Sequence, residues 1–392
     1  MKYKMVNDFV CYRQAMVGES VRRTLKKYGW VESDEPDVVL VNTCSFLRDV
    51  EKKSVERIKK LKKKYKRTVV FGCLPPVNEK VLAEVGVEYV KENSPRAVLE
   101  YLNVYTEPEI VGNVKEKPRF YKTPYAKLLV SLNRIFKDPL IRKVYEKEKM
   151  YHVEIARGCI GKCAYCIEYL ARGRLRSRTP EEILNEIGKG YKLGYRNFVL
   201  TGDDTGVWGL DIGYRLSYLV QAIKKRFPDA RIHISESNPW VFKLDSEFKE
   251  VLAKGYVDVI TLPIQSGSNR ILRLMRRNYK IEDVLKTLAY VKKRNPEIRI
   301  NTHIIVGFPG ETEEDLEKTM KVIETGLFDR VKVFRYSDRP GAVSTKFPGK
   351  IPEKEKIRRH KKVKRAVLLT MLRKRDIPAL LMNLQDIYSV IK

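Results

Sequence analysis

Short apolar runs punctuate the first hundred residues. Asp37 to Asn42 reads DVVLVN and Thr68 to Gly72 reads TVVFG, continuous runs of the length that parallel strands buried on both faces require. Each leads into a cysteine, Cys44 or Cys73. Asp49 to Lys64 is charged with helical spacing, and Glu19 to Tyr28 supplies an earlier helix that starts near Gly18. Residues 1–105 therefore read as a small doubly wound parallel-sheet domain, with its site at the carboxyl ends of the strands, where Cys44 and Cys73 fall. Cys11 lies ahead of the first helix, on the loop after a weakly marked first strand.

Residues 106–150 show poor periodicity with scattered Pro, Tyr and Lys, which predicts a connecting segment with one helix around 127–136. From 151 to 345 strand and helix patterns alternate. Strands are expected near His152 to Ala156, Asn197 to Thr201, Arg231 to Ser235, Val257 to Leu262, Arg299 to Val306 and Arg330 to Arg335, with helices such as Pro180 to Lys192 and Thr312 to Thr325. Consecutive strand–helix units of this kind predict an open partial (β/α)6 barrel with its site at the strands' carboxyl ends. Residues 346–392 form a basic helical tail, and the stretch from Ile351 holds 12 Lys plus Arg against 4 Asp plus Glu. Its apolar stretches, Ala366 to Leu372 and Ile377 to Leu384, are expected to pack on the barrel or on a partner. The fold class is α/β.

Charge changes the picture. The chain has 392 residues, of which 79 are Lys or Arg and 49 Asp or Glu, a formal charge of +30. A field of that size attracts polyanions, and RNA is the natural partner. Charged networks suited to high temperature account for many of these residues but not for the imbalance. No run approaches the about 18 apolar residues of a membrane span, and Met1 to Asp8 lacks a secretory apolar core. A cytoplasmic protein without membrane contact is expected. Six cysteines in a reducing compartment then point to metal ligation rather than disulfides.

In Cys159-Ile-Gly-Lys-Cys163-Ala-Tyr-Cys166 three thiols share one loop after the first barrel strand. Such a loop can wrap one corner of a cubane and present three thiolates to three irons, leaving the fourth iron open. Structural zinc would want a fourth Cys or His, and none is near in sequence.

Here the chain resembles the radical S-adenosylmethionine superfamily, and within it the methylthiotransferases, over about residues 8–345. The matching stretches are Asn42 to Ser45, Gly72-Cys73, Arg157 to Cys166, Ala171-Arg172-Gly173, Pro263 to Ser268, Gly307 to Thr312, Arg335-Tyr336-Ser337 and Arg339-Pro340-Gly341. The resemblance implies two [4Fe–4S] clusters and S-adenosylmethionine as cofactors. The cluster on Cys159, Cys163 and Cys166 gives one electron to the bound S-adenosylmethionine, and the resulting 5′-deoxyadenosyl radical takes a hydrogen from an unactivated carbon. The resemblance also assigns Cys11, Cys44 and Cys73 to the second cluster, which handles the sulfur to be inserted; separations of 33 and 29 residues could not have shown this by spacing. An electron donor such as ferredoxin or flavodoxin is implied too.

Several barrel residues are expected to shape the S-adenosylmethionine pocket. Gly202, Asp203 and Asp204 follow the second strand, where related enzymes place a glycine and a carboxylate toward the methionyl amine, and Asp203 is the favoured carboxylate. Ser235 and Glu236 end the third strand and Gln265 the fourth, positions suited to ribose or carboxylate contacts, or to plain strand-end solvation. Gly307 to Gly310 is a tight turn that admits either an adenine or a simple change of direction. His152, His233, His303 and His360 are scattered and are assigned to no metal.

Thr201 to Gly206 and Trp208 to Gly213 resemble the archaeal and eukaryotic branch, which methylthiolates N6-threonylcarbamoyladenosine beside the tRNA anticodon. Two alternatives stand: methylthiolation of a ribosomal protein side chain, and a non-catalytic RNA-binding relative. The chain departs from the family at its end, where the residues after Gly341 are too few for both the usual TRAM β-barrel and the helices seen here. Either the basic tail replaces that barrel, a separate RNA-binding subunit supplies it, or the substrate is different. Val10 and Gln14 also depart from the first cysteine motif, where Gly and Asn are common.

Overall fold

The computed structural model describes residues 1–7, 10–45, 48–112 and 150–374. The helix expected around 127–136 and the apolar stretch 377–384 lie outside them. The described residues fall into two compact units. One holds those within Met1–Thr123, Cys166–Arg174 and Ser337–Thr345, and the other holds the rest.

The first unit is built on a five-stranded parallel sheet of order β2-β1-β3-β4-β5, with β1 at Lys2–Val6, β2 at Val31–Glu32, β3 at Val38–Thr43, β4 at Thr68–Gly72 and β5 at Glu88–Tyr89. Every residue of β3 and β4 is buried, as their unbroken apolar runs require. Strand alternation splits these side chains between two layers. Val38, Leu40 and Phe71 pack with Val17, Val21 and Leu25 of helix α1 (Tyr12–Lys27). Val39, Val41 and Val70 pack on the other face with Ile58 and Leu61 of helix α2 (Arg48–Lys64).

Helix α1 begins directly after Cys11, earlier than its sequence pattern suggests. Gly18 looks like a boundary but lies inside the helix, where a Cβ would stand 2.4 Å from Asn7 Oδ1 and 2.7 Å from Asn42 Nδ2. The glycine is there for close packing, and the helix runs through it.

The second unit carries a six-stranded parallel sheet in strictly sequential order, β6 (Met150–Glu154), β9 (Asn197–Thr201), β10 (Arg231–Ile234), β11 (Val259–Thr261), β12 (Arg299–Val306) and β13 (Arg330–Arg335). This is the open partial barrel expected. The first strand ends two residues earlier than expected, at Glu154, and the chain continues as β7 (Ala156–Arg157), which pairs antiparallel with β8 (Arg176–Ser177). In β12 alternate residues Ile300, Thr302, Ile304 and Val306 are buried, and the expected helices form at Pro180–Lys192 and Glu313–Glu324. The C-terminal helix Glu353–Lys374 joins the same core through Val363, Val367 and Met371, and His360 Nε2 lies 3.0 Å from the Val333 carbonyl.

Candidate functional site

In the first unit the sheet gathers Cys11, Cys44 and Cys73 at the carboxyl ends of its strands. Cys44 follows β3, Cys73 follows β4, and Cys11 caps the N-terminus of α1. Gly72 brings the last two together: it sits at φ +103°, and a Cβ there would come 2.5 Å from the Thr43 carbonyl oxygen. The Cys73 amide donates to that carbonyl at 3.0 Å. A hydrogen bond with the Cys44 side chain, aided by Arg13 and Arg172, draws the Cys11 thiol well below its ordinary range. Burial pushes the Cys73 thiol up, and the neighbouring Cys11 adds to this. Three adjacent thiols cannot all ionise without a countercharge, and an iron–sulfur core supplies one, so the donor set fits a cluster held by three thiolates. Among the described residues no three His, Cys, Asp or Glu stand close enough to hold a single metal ion.

Polar residues fix these thiols. Gln14 donates to Asn42 Oδ1 at 2.8 Å and to Asn93 Oδ1 at 3.1 Å, and its own Oε1 accepts the Cys73 thiol at 3.6 Å. Asn93 Nδ2 donates to Cys73 Sγ at 3.4 Å. The departure at position 14 is thus absorbed into a buried amide network. On the other side Arg339, 4% exposed, bonds Ser45 Oγ at 2.7 Å and pairs with Glu51. Burial pushes the Glu51 carboxyl up, but Ser45, Asn78 and Arg339 outweigh it and hold the group below its usual range. Arg13 pairs with Glu168 at 3.0 Å, and Ile167, Ala171 and Ala342 pack with Val77 against Cys73.

Each thiol of the other triplet accepts an N–H donor. The Gly161 amide reaches Cys159 Sγ at 3.1 Å, Arg277 Nη1 reaches Cys163 Sγ at 3.4 Å, and the Glu168 amide reaches Cys166 Sγ at 3.4 Å. Donors directed at sulfur favour thiolate, the form that binds iron. The triplet therefore fits the expected cluster.

The expected pocket residues do different work. Asp203 Oδ2 accepts the Gly158 amide at 2.7 Å, bracing the start of the cysteine loop. Asp204 is 4% exposed and accepts from the Gly206 and Asn238 amides and from Trp240 Nε1, with Cys159 Sγ 4.0 Å away. Burial pushes its carboxyl up. Gly202 allows close approach, since a Cβ there would meet the Ala156 carbonyl oxygen at 3.2 Å. Ser235 Oγ and Gln265 Oε1 are buried with no hydrogen-bond partner among the described residues. Glu236 and Gln265 hold positive φ of 33° and 65°, strain of the kind stored at ligand sites. Glu236 Oε2 also lies 3.4 Å from His303 Nδ1. At Gly307 the space a Cβ would enter holds Lys356 Cγ, 2.5 Å away.

Of the tail's basic run, Arg358, Arg359, Lys361, Lys362, Lys364 and Arg365, three residues pair among the described residues with carboxylates of the protein itself. Arg358 pairs with Glu313 at 2.6 Å and Glu355 at 2.7 Å, Lys362 pairs with Glu313, and buried Arg359 pairs with Glu311 at 2.8 Å. Sequence reasoning gave no role to Arg172, Arg277 or Arg339. Arg172 and Arg339 lie in stretches that match the family, so a signal was present; Arg277 had none.

The chain matches the Radical SAM superfamily over residues 153–323 and the Uncharacterized protein family UPF0004 over residues 5–90. It is 32% identical to a probable threonylcarbamoyladenosine tRNA methylthiotransferase of Pyrococcus abyssi, covering 87% of this chain and 78% of the relative. It is 33% identical to a tRNA-2-methylthio-N(6)-dimethylallyladenosine synthase of Thermotoga petrophila, over 90% and 79%. It is 30% identical to the ribosomal protein uS12 methylthiotransferase RimO of Thermus thermophilus, over 93% and 82%. The fold is similar to that of the radical S-adenosylmethionine methyltransferase TsrM from Kitasatospora setae, with TM-score 0.57 at 14% identity over 85% of this chain and 74% of that one. Bearing both cysteine triplets and matched along most of its length by such relatives, the chain belongs to the radical S-adenosylmethionine methylthiotransferase family.

Proposed function

We propose that this transferase inserts a methylthio group at an unactivated C–H of N6-threonylcarbamoyladenosine next to the tRNA anticodon. The family's cofactors are S-adenosylmethionine and two [4Fe–4S] clusters. The observation that carries the reading is the pair of cysteine triplets at the carboxyl ends of two parallel sheets. When bound, the cluster on Cys159, Cys163 and Cys166 supplies the electron that cleaves S-adenosylmethionine, and the cluster on Cys11, Cys44 and Cys73 supplies the sulfur.

The chain's own residues bind and orient. Ser235, Glu236 and Gln265 offer the cofactor hydrogen-bonding atoms, two of them without a partner among the described residues. Gly202 and Gly307 admit its close approach, the latter once Lys356 swings aside. Asp203 and Asp204 hold the cysteine loop and its surroundings in place. In this reading residues 1–105 form the sulfur-handling domain, 151–345 the radical core and 346–392 a tail. The enzyme works in the cytoplasm with ferredoxin or flavodoxin as electron donor. Among the described residues no helix is long and apolar enough to cross a membrane.

The net charge of +30 and the names of the first relatives support a tRNA substrate. With Arg358, Arg359 and Lys362 committed to carboxylates, a separate RNA-binding subunit accounts better for the grip on RNA than the tail does. Ribosomal protein methylthiolation is the second reading, favoured by the RimO relative. The test is mass spectrometry of digested tRNA from a strain lacking this gene. Loss of 2-methylthio-N6-threonylcarbamoyladenosine supports the proposal, and its persistence at the parental level refutes it.

A further inference from the structure

Arg277 is 8% exposed, and among the described residues no carboxylate forms an ion pair with it. Its three bonds are to the Pro263 carbonyl through Nη2, to Tyr279 Oη at 3.3 Å through Nε, and to Cys163 Sγ at 3.4 Å through Nη1. Tyr279 is itself fixed by donating to the Ile264 carbonyl at 2.7 Å. The nearby Asp204 carboxylate feels the field of Arg277 but spends its oxygens on other donors.

A buried cation without a counterion is costly, because burial strips its hydration and nothing restores it. Of the groups Arg277 touches among the described residues, the Tyr279 hydroxyl is kept protonated by burial and by its bond to the Ile264 carbonyl, which leaves the Cys163 sulfur as the one to carry the negative charge. The backbone is arranged for this contact. Arg276 holds φ +58°, a left-handed conformation unfavourable for a side-chain residue, and the turn it makes directs Arg277 inward. The same turn is strapped to the cysteine loop by a bond from the Ala164 amide to the Met275 carbonyl at 3.0 Å. Two separate links therefore join residues 275–277 to the loop that carries Cys163.

We infer that Arg277 is a positioning residue whose guanidinium is the counterion of the Cys163 thiolate and sets the reduction potential of the cluster held there. This rests on the assignment of a cluster to Cys159, Cys163 and Cys166. A hydrogen-bonded cation at a ligating sulfur stabilises the reduced state, which carries one more negative charge than the oxidised one, and so makes reduction easier. The electron comes from outside the protein, and no bond of Arg277 forms or breaks.

The test uses the full chain carrying Cys11→Ala, Cys44→Ala and Cys73→Ala, reconstituted anaerobically with iron and sulfide so that one cluster is loaded. Its midpoint potential is read by dithionite titration with electron paramagnetic resonance, with Arg277 intact, as Arg277→Gln and as Arg277→Lys. Glutamine keeps an N–H donor without the charge, and lysine keeps the charge without the fork. Arg277→Gln should move the potential to more negative values, and Arg277→Lys should fall between it and the parent. Equal potentials in all three, or equal shifts in both variants, would overturn the inference. If neither variant loads iron, the parent decides. Labelling its arginine with nitrogen-15 should give a hyperfine coupling to the reduced cluster, and no coupling refutes the contact. Failure of the parent itself to load a cluster sinks the three-cysteine assignment instead, so the two failures are told apart.

Discussion

Replacing Arg359 by methionine should cost far more stability than replacing its neighbour Arg358, although both stand in one basic run. The side chains of Arg359 and Glu311 are 9% and 3% exposed, against 52% and 40% for Arg358 and Glu313. Breaking a buried pair by removing one partner costs about 3–5 kcal/mol, because the other charge is left without compensation. An exposed pair is worth roughly 0–1 kcal/mol. Arg359→Met should therefore lose about 3–5 kcal/mol and Arg358→Ala under about 1 kcal/mol. The double variant Arg359→Met, Glu311→Leu should regain most of the loss, since no charge then remains buried. The pH dependence adds a sign. Burial already pushes the Glu311 carboxyl up in spite of Arg359. A carboxyl with a folded pKa above its unfolded one subtracts stability when ionised, and that penalty fades as pH falls through the folded pKa. Without Arg359 the folded pKa rises further, at about 1.4 kcal/mol per unit, so the deficit of Arg359→Met should shrink between about pH 8 and about pH 5. Urea unfolding followed by tryptophan fluorescence measures all of this. A loss under about 1 kcal/mol, no recovery in the double variant, or a deficit constant with pH would refute the reasoning. The result bears on the site, because Glu311 also accepts the Gly307 amide at 3.0 Å and so fixes the turn expected to meet the cofactor.

Cys159→Ala, Cys163→Ala or Cys166→Ala should abolish 5′-deoxyadenosine formation, and an undiminished rate in any one of them would end the assignment of that triplet. Cys11→Ala, Cys44→Ala or Cys73→Ala should leave that cleavage in place while methylthiolated product disappears, which chromatography of the digested substrate reads directly. Gly72→Ala should displace Cys73, since its Cβ would come 2.5 Å from the Thr43 carbonyl oxygen at an unfavourable φ; iron content should fall from two clusters toward one, and full content would contradict it. Arg358→Ala with Lys362→Ala should leave the salt dependence of tRNA binding unchanged, because carboxylates already hold both residues; a log–log slope flattened by about 0.7–0.9 per residue would show that they reach phosphates.

The sequence by itself determined the elements and the chemistry they carry. Short β-branched runs such as VVLV and TVVF are too short for helices and read as strands buried on both faces, and the cysteines that follow them stand at the ends where such sheets place their sites. The Cys159 to Cys166 loop was legible because its three ligands are local. The tertiary structure decided whatever depends on residues distant along the chain. Gly18 read as a helix boundary because the side chains of Asn7 and Asn42 that press on it lie outside its own segment. The tail's positive run could be read as a phosphate grip because Glu311 and Glu313, which pair with Arg359 and with Arg358 and Lys362, are some fifty residues away in sequence. Arg277 was invisible for the same reason. Its meaning comes from Cys163, 114 positions earlier, and a guanidinium's role is set by the charge it faces once both are buried.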